Sequence, residues 1–373
     1  MSGPPKNTSH SKNKPKSSSN KSQSPASNSN NRKAVNLALQ GGGAHGAVTW
    51  GVLDRLLEDE RLHIESISGA SAGAVNAAAL AYGIHLGGNE KAREILDTLW
   101  KNISDAGAIF SPVRASPIDM AFGQFNLDNA PSYQLFEAFT RTLSPYQFNP
   151  FDINPLRDVL DRTIDFERLQ CCTATRLFLS ATNVRTGKVH VFKTGETSLD
   201  VVCASSCLPF LFKAVEIDGE HYWDGGYMGN PVLFPFFYEA ASRDVLIVHV
   251  NPIEREDVPM TAPDIMNRLN EINFNSSLLR ELRAISFVQR LLEDDWLKDE
   301  YRDKLRNINI HSIRSDICLK PLSVASKFNT DWRFLNSLKE RGRDAATTWL
   351  DDNFDEIGHR SSVDLRDMFA ENR

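Results

Sequence analysis

The chain has 373 residues, 41% of them hydrophobic, and a formal net charge of −6. This suffices for a sizeable core in one large domain or two smaller ones. No segment reaches the roughly 20 strongly apolar residues that a membrane-spanning helix needs, so the body of the protein is expected to be soluble. The five cysteines are odd in number, sparse and without zinc-site spacing. They imply no disulfide framework, and a reducing, cytoplasmic location is expected.

Residues 1–33 form a polar, basic segment with seven Lys and Arg residues and no acid. Its few apolar side chains cannot offset the entropy lost on ordering, so we predict a disordered tail. It lacks the apolar region of a secretory signal peptide. Its charge could attract an anionic lipid or nucleic-acid surface, but a solvated tail is the simpler interpretation, and no nucleic acid is expected as a partner. The folded domain is expected over residues 34–373.

A buried strand is predicted over residues 34–39, and the glycine loop QGGGAHG (40–46) and a helix over 47–60 follow it. Glycines let backbone N–H groups point into one shared space, which suits a phosphate and an oxyanion equally. Two functions therefore compete for this loop.

Residues 64–80 read as a short strand, an abrupt turn in the sequence GASAG, and an Ala-rich helix. This order is that of a nucleophile elbow, which would expose Ser71 at a helix N-terminus between Gly69 and Gly73. The free N–H groups of that terminus favour an oxyanion nearby. We therefore predict Ser71 as a nucleophile.

The main rival interpretation is a Rossmann-type nucleotide-binding protein without enzymatic activity. Gly41, Gly43 and Gly46 satisfy G-x-G-x-x-G, and Glu65 lies about 20 residues further on, where such a fold places its ribose-binding acid. That interpretation leaves the GASAG turn unexplained. An oxyanion hole uses both loops, with the N–H groups of Gly42, Gly43 and Ala72 converging on one oxygen.

An amphipathic helix is predicted over residues 89–102. Residues 103–152 after it form an aromatic-rich, loop-rich insertion. We expect part of it to form a lid or acyl-binding wall that includes Phe122 and Phe125, although such rings are also ordinary core residues.

The second half alternates strands and helices. Hairpins are predicted over 177–193 and 213–223, with a short helix over 199–206 between them. A strand over 244–251, a helix over 262–298, a strand over 307–313 and helices within 323–352 follow. This alternation predicts an α/β sandwich with a largely parallel central sheet.

A serine nucleophile needs a base within hydrogen-bond reach. The histidines that follow Asp224 are His249 and His311, within strand patterns, and His359, in a polar segment. None stands in a typical loop for a base, but a Ser-Asp-His triad stays open as an alternative. Asp224, followed by Gly225 and Gly226 at a strand end, could instead take the proton of Ser71 directly.

Three motifs in order, GGGxxG after the first strand, GASAG 25–30 residues later and a distant DGG, resemble those of the patatin-like phospholipase family. The resemblance covers roughly residues 34–252 and leaves a helical C-terminal extension of about 255–373 without a motif. It implies a three-layer α/β/α fold and a lipid acyl hydrolase with a Ser-Asp dyad. It also implies Ser71 as nucleophile, Asp224 as base and Gly41, Gly42 and Gly43 as the oxyanion loop.

One position departs from the family pattern. The loop usually contains Arg or Lys where this chain has His45, so a permanent charge is replaced by one expected to titrate near neutrality. The resulting hypothesis is a serine hydrolase of lipid carboxyl esters, of phospholipase A or lysophospholipase type, that needs no metal or cofactor and could contact a membrane peripherally. Neutral glycerides and storage polyesters remain alternative substrates, and the sequence leaves the oligomeric state open.

Overall fold

The computed structural model describes residues 1, 3, 32–111, 113, 127, 130–294, 296–298 and 304–369. The predicted basic tail over residues 1–33 lies almost wholly outside the described residues, and so do Phe122 and Phe125 of the predicted lid. Residues Arg32–Arg373 belong to one compact unit, which contains all the strands and helices of the described chain.

In the described part of the chain, eight strands form one sheet. They are β1 (Lys33–Leu39), β2 (Leu62–Gly69), β3 (Arg176–Asn183), β4 (Val189–Lys193), β5 (Val215–Ile217), β6 (Glu220–Asp224), β7 (Asp244–Val248) and β8 (Asn309–Ile313). Strands β3, β2, β1, β7 and β8 are parallel neighbours in that order. Strands β4 and β6 each pair with β3 in antiparallel fashion, and β5 pairs with β6 in the same way. The prediction of a largely parallel sheet is confirmed.

Helices cover both faces of this sheet. They are α1 (Gly46–Asp59), α2 (Ala72–Phe110), α3 (Pro131–Thr142), α4 (Pro145–Phe148), α5 (Pro155–Thr163), α6 (Phe166–Gln170), α7 (Leu199–Ser205), α8 (Phe234–Glu239), α9 (Ala262–Glu293), α10 (Trp332–Asn353) and α11 (Leu365–Phe369). Short 3-10 turns span Gly43–His45, Thr194–Glu196, Gly225–Tyr227, Ser315–Leu319, Val324–Phe328 and Phe354–Glu356.

The core is divided into two layers by the sheet. Alternate residues of a strand point to opposite faces. Leu246 and Val248 of β7 therefore pack with α1, α2, α7 and α10, whereas Val245 and Ile247 pack with α8, α9 and α11. This arrangement is the predicted three-layer α/β/α sandwich.

Most predicted elements form near their expected positions. The helix expected over residues 89–102 is part of the longer α2, whose backbone leaves the helical conformation at Gly87 and Gly88. Gly88 has φ 76°, a left-handed conformation that glycine adopts without a Cβ clash. The two glycines thus separate two helical parts, as the sequence predicts.

The register of β3 determines where the ends of β2 and β6 lie. Strand β4 occupies one edge of β3 from Phe178 to Thr182, so β2 and β6 must share the other edge. On that edge Gly69, the last residue of β2, lies opposite Leu179, and Asp224, the last residue of β6, lies opposite Ala181. The two strands run towards each other, and their ends stand two residues apart, or about 7 Å along β3.

Candidate active site

Ser71 occupies the turn between β2 and α2 in a strained backbone conformation. Its φ is 53° and its ψ is −127°, a region that non-glycine residues adopt at a cost of about 1–3 kcal/mol. Its N–H is held at the end of α7 by the backbone oxygen and the hydroxyl of Ser205, at 3.1 and 3.0 Å. The strain and its anchoring are those of a nucleophile elbow.

Gly69 and Gly73, predicted to flank the elbow, are positions where a Cβ has no room. A Cβ on Gly69 would lie 2.6 Å from the carbonyl oxygen of Gly73, and one on Gly73 would overlap the carbonyl oxygen of Leu39. Strand β2 can therefore turn sharply into α2, whose first residue is Ala72.

Asp224 ends β6 with its side chain fully buried. Its Oδ1 accepts a hydrogen bond from the N–H of Gly226 at 2.7 Å, and Gly225 packs against the Ser180 backbone. Burial raises the pKa of Asp224 to about 6, against the lowering effects of hydrogen bonding with Ser71 and Gly226 and of the Lys327 charge. A carboxyl with this pKa is ionised at neutral pH yet more basic than an ordinary aspartate.

The Ser71 hydroxyl lies close enough to Asp224 to lower its pKa, but Oδ2 accepts no hydrogen bond of ordinary geometry from any described residue. The two groups are therefore neighbours that form no hydrogen bond of ordinary geometry. Catalytic pairs commonly show such geometry before the reacting arrangement forms.

The glycine loop lies beside this pair and offers two free donors. The N–H of Gly41 donates to Asn230 Oδ1 at 2.7 Å, so Gly41 is removed from the predicted oxyanion donors. Its role is steric, because a Cβ there would lie 2.6 Å from Ser71 Cβ. Among the described residues, none accepts a hydrogen bond from the backbone N–H of Gly42, Gly43 or Ala72.

Side chains that the sequence analysis missed hold the loop in place. Gln40 Oε1 accepts hydrogen bonds from the N–H groups of Val250 and Asn251 at 2.9 and 3.0 Å, just beyond β7. The Asn251 side chain in turn donates to the Gly41 carbonyl at 2.8 Å. Gln40 directly precedes the glycines, but its partners lie about 210 positions away, so no local pattern indicated the pairing.

The charge expected at His45 is absent. Its side chain is buried, its Nε2 lies 2.7 Å from Ser326 Oγ, and burial together with the Lys327 charge holds its pKa well below the usual value. His45 thus stays neutral around pH 7, which corrects the expectation of a titrating loop charge. The nearby cation is Lys327, between the last strand and α10, which the sequence analysis did not single out.

The other predicted histidines lie away from Ser71. His249 is buried one residue beyond β7, and burial lowers its pKa to about 4. His311 lies 3.0 Å from Asp244, and His359 is exposed. In the part of the chain that the structure describes, no histidine lines either of the two cavities that contain Ser71.

Glu65, the acid of the nucleotide-binding alternative, is at the opposite end of the parallel strands. Its carboxylate accepts hydrogen bonds from the N–H groups of Ala241 and Ser242 and from Arg176, each at 2.6 Å. Glu65 is thus bonded to groups of the protein itself, and it lies far along β2 from the glycine loop. Glu65 and the glycine loop therefore cannot bind the same nucleotide.

Two cavities meet at Ser71. The larger has a volume of about 480 Å³ and is lined mainly by apolar side chains, including Trp100, Phe136 and Phe148. The smaller, of about 240 Å³, also contains Gly42, Gly43 and Lys327. The aromatic insertion therefore contributes walls to the larger cavity through residues other than the two proposed for the lid.

A sequence model described as patatin-like phospholipase matches residues 37–237, more than half of the chain. The chain belongs to the patatin-like phospholipase family. This membership supports lipid acyl hydrolase activity. Within the described residues of this patatin-like chain, no cluster of His, Cys, Asp and Glu could hold a metal ion, and no helix is long and apolar enough to cross a membrane.

Two bacterial proteins are among the solved structures that match the chain. VipD from Legionella pneumophila is 16% identical with a TM-score of 0.42, and the match covers 86% of this patatin-like chain and 67% of VipD. ExoU from Pseudomonas aeruginosa, in its complex with SpcU of the type III secretion system, is 16% identical with a TM-score of 0.37. That match covers 87% of this chain and 52% of the ExoU chain, so the chain spans about half of ExoU. Comparison with curated proteins finds no significant match.

Proposed function

We propose that the protein hydrolyses carboxyl esters of lipids, as a phospholipase A or lysophospholipase, through a Ser71–Asp224 dyad. Ser71 Oγ attacks the ester carbonyl carbon while its proton passes to Asp224. The N–H groups of Gly42, Gly43 and Ala72 stabilise the resulting oxyanion. Collapse of the tetrahedral intermediate expels the alcohol, which takes the proton from Asp224. Water, deprotonated by Asp224, then attacks the acyl-enzyme carbonyl, and the fatty acid leaves as Ser71 Oγ takes the proton back from Asp224.

The observation that supports this proposal most is the meeting of two strand ends on one edge of β3. It brings a strained serine next to a buried carboxyl whose pKa is raised to about 6. A carboxyl with that pKa suits general-base work near neutral pH. A triad is the weaker candidate, since the cavities around Ser71 have no described histidine in their walls.

The larger cavity supports a lipid substrate. Its apolar, aromatic walls begin at Ser71 and would bury a hydrocarbon chain, which stabilises the complex by about 25 cal/mol for each Å² of apolar surface removed from water. Soluble esters with short acyl groups would leave most of this surface uncovered. A long-chain ester is therefore the substrate that the cavity fits best.

We also propose that the protein contacts a lipid surface through the first half of α9. Ile265, Met266, Leu269 and Ile272 are exposed there, while Phe274 of the same helix lines the smaller cavity. An apolar face next to the cavity mouth would let a lipid leave a membrane without crossing water. Leu269→Gln should reduce sedimentation with phospholipid vesicles, whereas equal sedimentation of variant and wild type would contradict this contact.

The test of the proposed activity is fatty-acid release from a mixed membrane lipid extract. Wild type should release fatty acids and Ser71→Ala should not. Ser68→Ala is the matched control, because it removes a buried hydroxyl on β2 that has no described hydrogen-bond partner. Equal release by wild type and Ser71→Ala, or no release by wild type, would overturn the proposal.

A further inference from the structure

The two cavities share a cation, Lys327, in their walls, and residues of the smaller cavity hold its ammonium. The Nζ donates to Asn270 Oδ1 at 2.9 Å and lies 5.4 Å from the ring centroid of Phe274. Asn270 and Phe274 line the smaller cavity and not the larger. The positive charge is thus held towards the smaller cavity, although Lys327 also borders the larger one.

This ammonium has hydrogen-bonding capacity to spare. Besides Asn270, it donates to Asn251 Oδ1 at 3.0 Å. An ammonium group has three N–H donors, and among the described residues only these two acceptors bond to it. The third donor is available to a ligand in the cavity.

No described carboxylate lies within 4.0 Å of Lys327 Nζ. Glu271, whose charge Lys327 senses most, is paired with Arg255 and with Arg268 at 3.1 Å. Asp224 is also near enough to raise the pKa of Lys327, but burial outweighs both carboxylates and lowers it to about 8. Lys327 is therefore protonated at neutral pH without an anionic partner, an arrangement that an anionic ligand would stabilise.

We propose that Lys327 is a substrate-binding residue that holds the phosphate of a phospholipid in the smaller cavity while the acyl chain fills the larger one. This inference rests on the proposed function and names the residue that would bind the phosphate of such a phospholipid. The oxyanion has its own donors at Gly42, Gly43 and Ala72, so Lys327 is free for a second anionic group. Lys327 lies outside the matched family segment of residues 37–237.

The experiment compares hydrolysis of phosphatidylcholine, phosphatidylglycerol and diacylglycerol with identical acyl chains in the same neutral-detergent micelles. The readout is the ratio of kcat/KM for each phospholipid to that for diacylglycerol, in which losses common to all esters cancel. Lys327→Gln removes the charge but keeps a hydrogen-bond donor for one of the two asparagines. Lys327→Met removes the charge and the donor. Lys320→Met is the control, since Lys320 lines neither cavity around Ser71.

Loss of a hydrogen bond from a charged donor should lower both ratios about 10- to 100-fold in Lys327→Gln and Lys327→Met, mainly through KM. Lys327→Arg should recover part of the loss, and Lys320→Met should retain the wild-type ratios. An effect on phosphatidylglycerol alone would indicate attraction of net charge rather than a phosphate contact, and would overturn the inference.

An equal loss on all three lipids would also overturn it, by showing that Lys327 supports the loop or the shared ester. Labelling of Ser71 by a fluorophosphonate separates this failure from that of the proposed function. If the Lys327 variants label like wild type but keep the substrate ratios, only the phosphate site is wrong. If wild type neither labels nor hydrolyses any of the lipids, the proposed function is wrong.

Discussion

The polar groups around Glu65, at the N-terminal end of the parallel strands, are more fully paired than those around Ser71, at the C-terminal end. At the N-terminal end, Glu65 bonds to two backbone N–H groups and to Arg176, and Asn36 Nδ2 donates to the carbonyl of Ser242. At the C-terminal end, Asp224 Oδ2 and three backbone N–H groups around Ser71 have no described partner of ordinary geometry. Buried polar groups in proteins are normally hydrogen-bonded. The unpaired end is therefore the one where we expect a reacting substrate to supply the partners.

Among the substitutions that test this contrast, Asp224→Asn is expected to lower kcat the most. Loss of the general base should lower kcat by about 10³-fold, within the range usual for such groups. The folded protein should be no less stable, because the folded pKa of Asp224 is raised to about 6 and its ionised form is disfavoured by folding. In wild type, ionisation of Asp224 lowers the stability of the fold as the pH rises from about 4 to 6. The neutral side chain of Asp224→Asn does not ionise, so the variant lacks this loss of stability above pH 6. Ester hydrolysis and thermal melting at pH 7.5 check both points, and a clearly lowered melting temperature would identify Asp224 as structural.

Gly41→Ala should have the next largest effect. The new Cβ would lie 2.6 Å from Ser71 Cβ and 2.7 Å from the carbonyl oxygen of Ala70, so the loop must move away from the nucleophile. Displacing one oxyanion donor typically lowers kcat by about 10²–10³-fold. Steady-state kinetics measure this, and Gly195→Ala, where nothing lies near the added Cβ, is the control. Wild-type kcat in Gly41→Ala would contradict the oxyanion role of the loop.

The dependence of kcat on pH should show a smaller effect than these two substitutions. Asp224 must be ionised to accept a proton, so activity should rise with pH through about 6 and be roughly tenfold lower at pH 5 than on the plateau. The positive charge of Lys327 lowers the pKa of Asp224, so Lys327→Gln should shift this limb to higher pH. Profiles of kcat for both proteins test the direction, and an unshifted or downward-shifted limb would show that the two charges are not coupled.

Glu65→Gln should have the smallest effect on catalysis. It weakens charge-assisted bonds at the paired end of the sheet and should lower the free energy of unfolding by about 1–3 kcal/mol. Denaturant melts should show this loss, while kcat of the folded enzyme stays within about twofold of wild type. A large fall in kcat at unchanged stability would mean that the two ends are not functionally distinct.

Local patterns predicted the parts of the site that depend on neighbouring residues. The strand, turn and helix around Ser71 and the hairpin that ends in Asp224 are short-range signals, and their positions agree with the structure. A glycine between two predicted elements usually marks a turn, so the ends of these segments could be predicted from the sequence.

Contacts between distant segments were not predictable in the same way. The Asn230 side chain accepts a hydrogen bond from the N–H of Gly41, although the two residues are 189 positions apart in the sequence. Lys327 lies at the site but belongs to a segment without any motif. The expected charge of His45 was wrong because its sequence neighbours do not reveal its burial, its contact with Ser326 or the nearby charge of Lys327. Burial and charge depend on what packs against a side chain from elsewhere in the chain, and one sequence does not show that.

The most direct test of the dyad is the rate at which a fluorophosphonate modifies Ser71, followed by mass spectrometry of the Ser71 peptide at pH 7.5. We expect rapid labelling of wild type, labelling at least about 100-fold slower in Asp224→Asn, and labelling within a few-fold of wild type in His249→Asn. Rapid labelling of Asp224→Asn combined with loss of labelling in a well-folded His249→Asn would contradict the dyad and favour a histidine base.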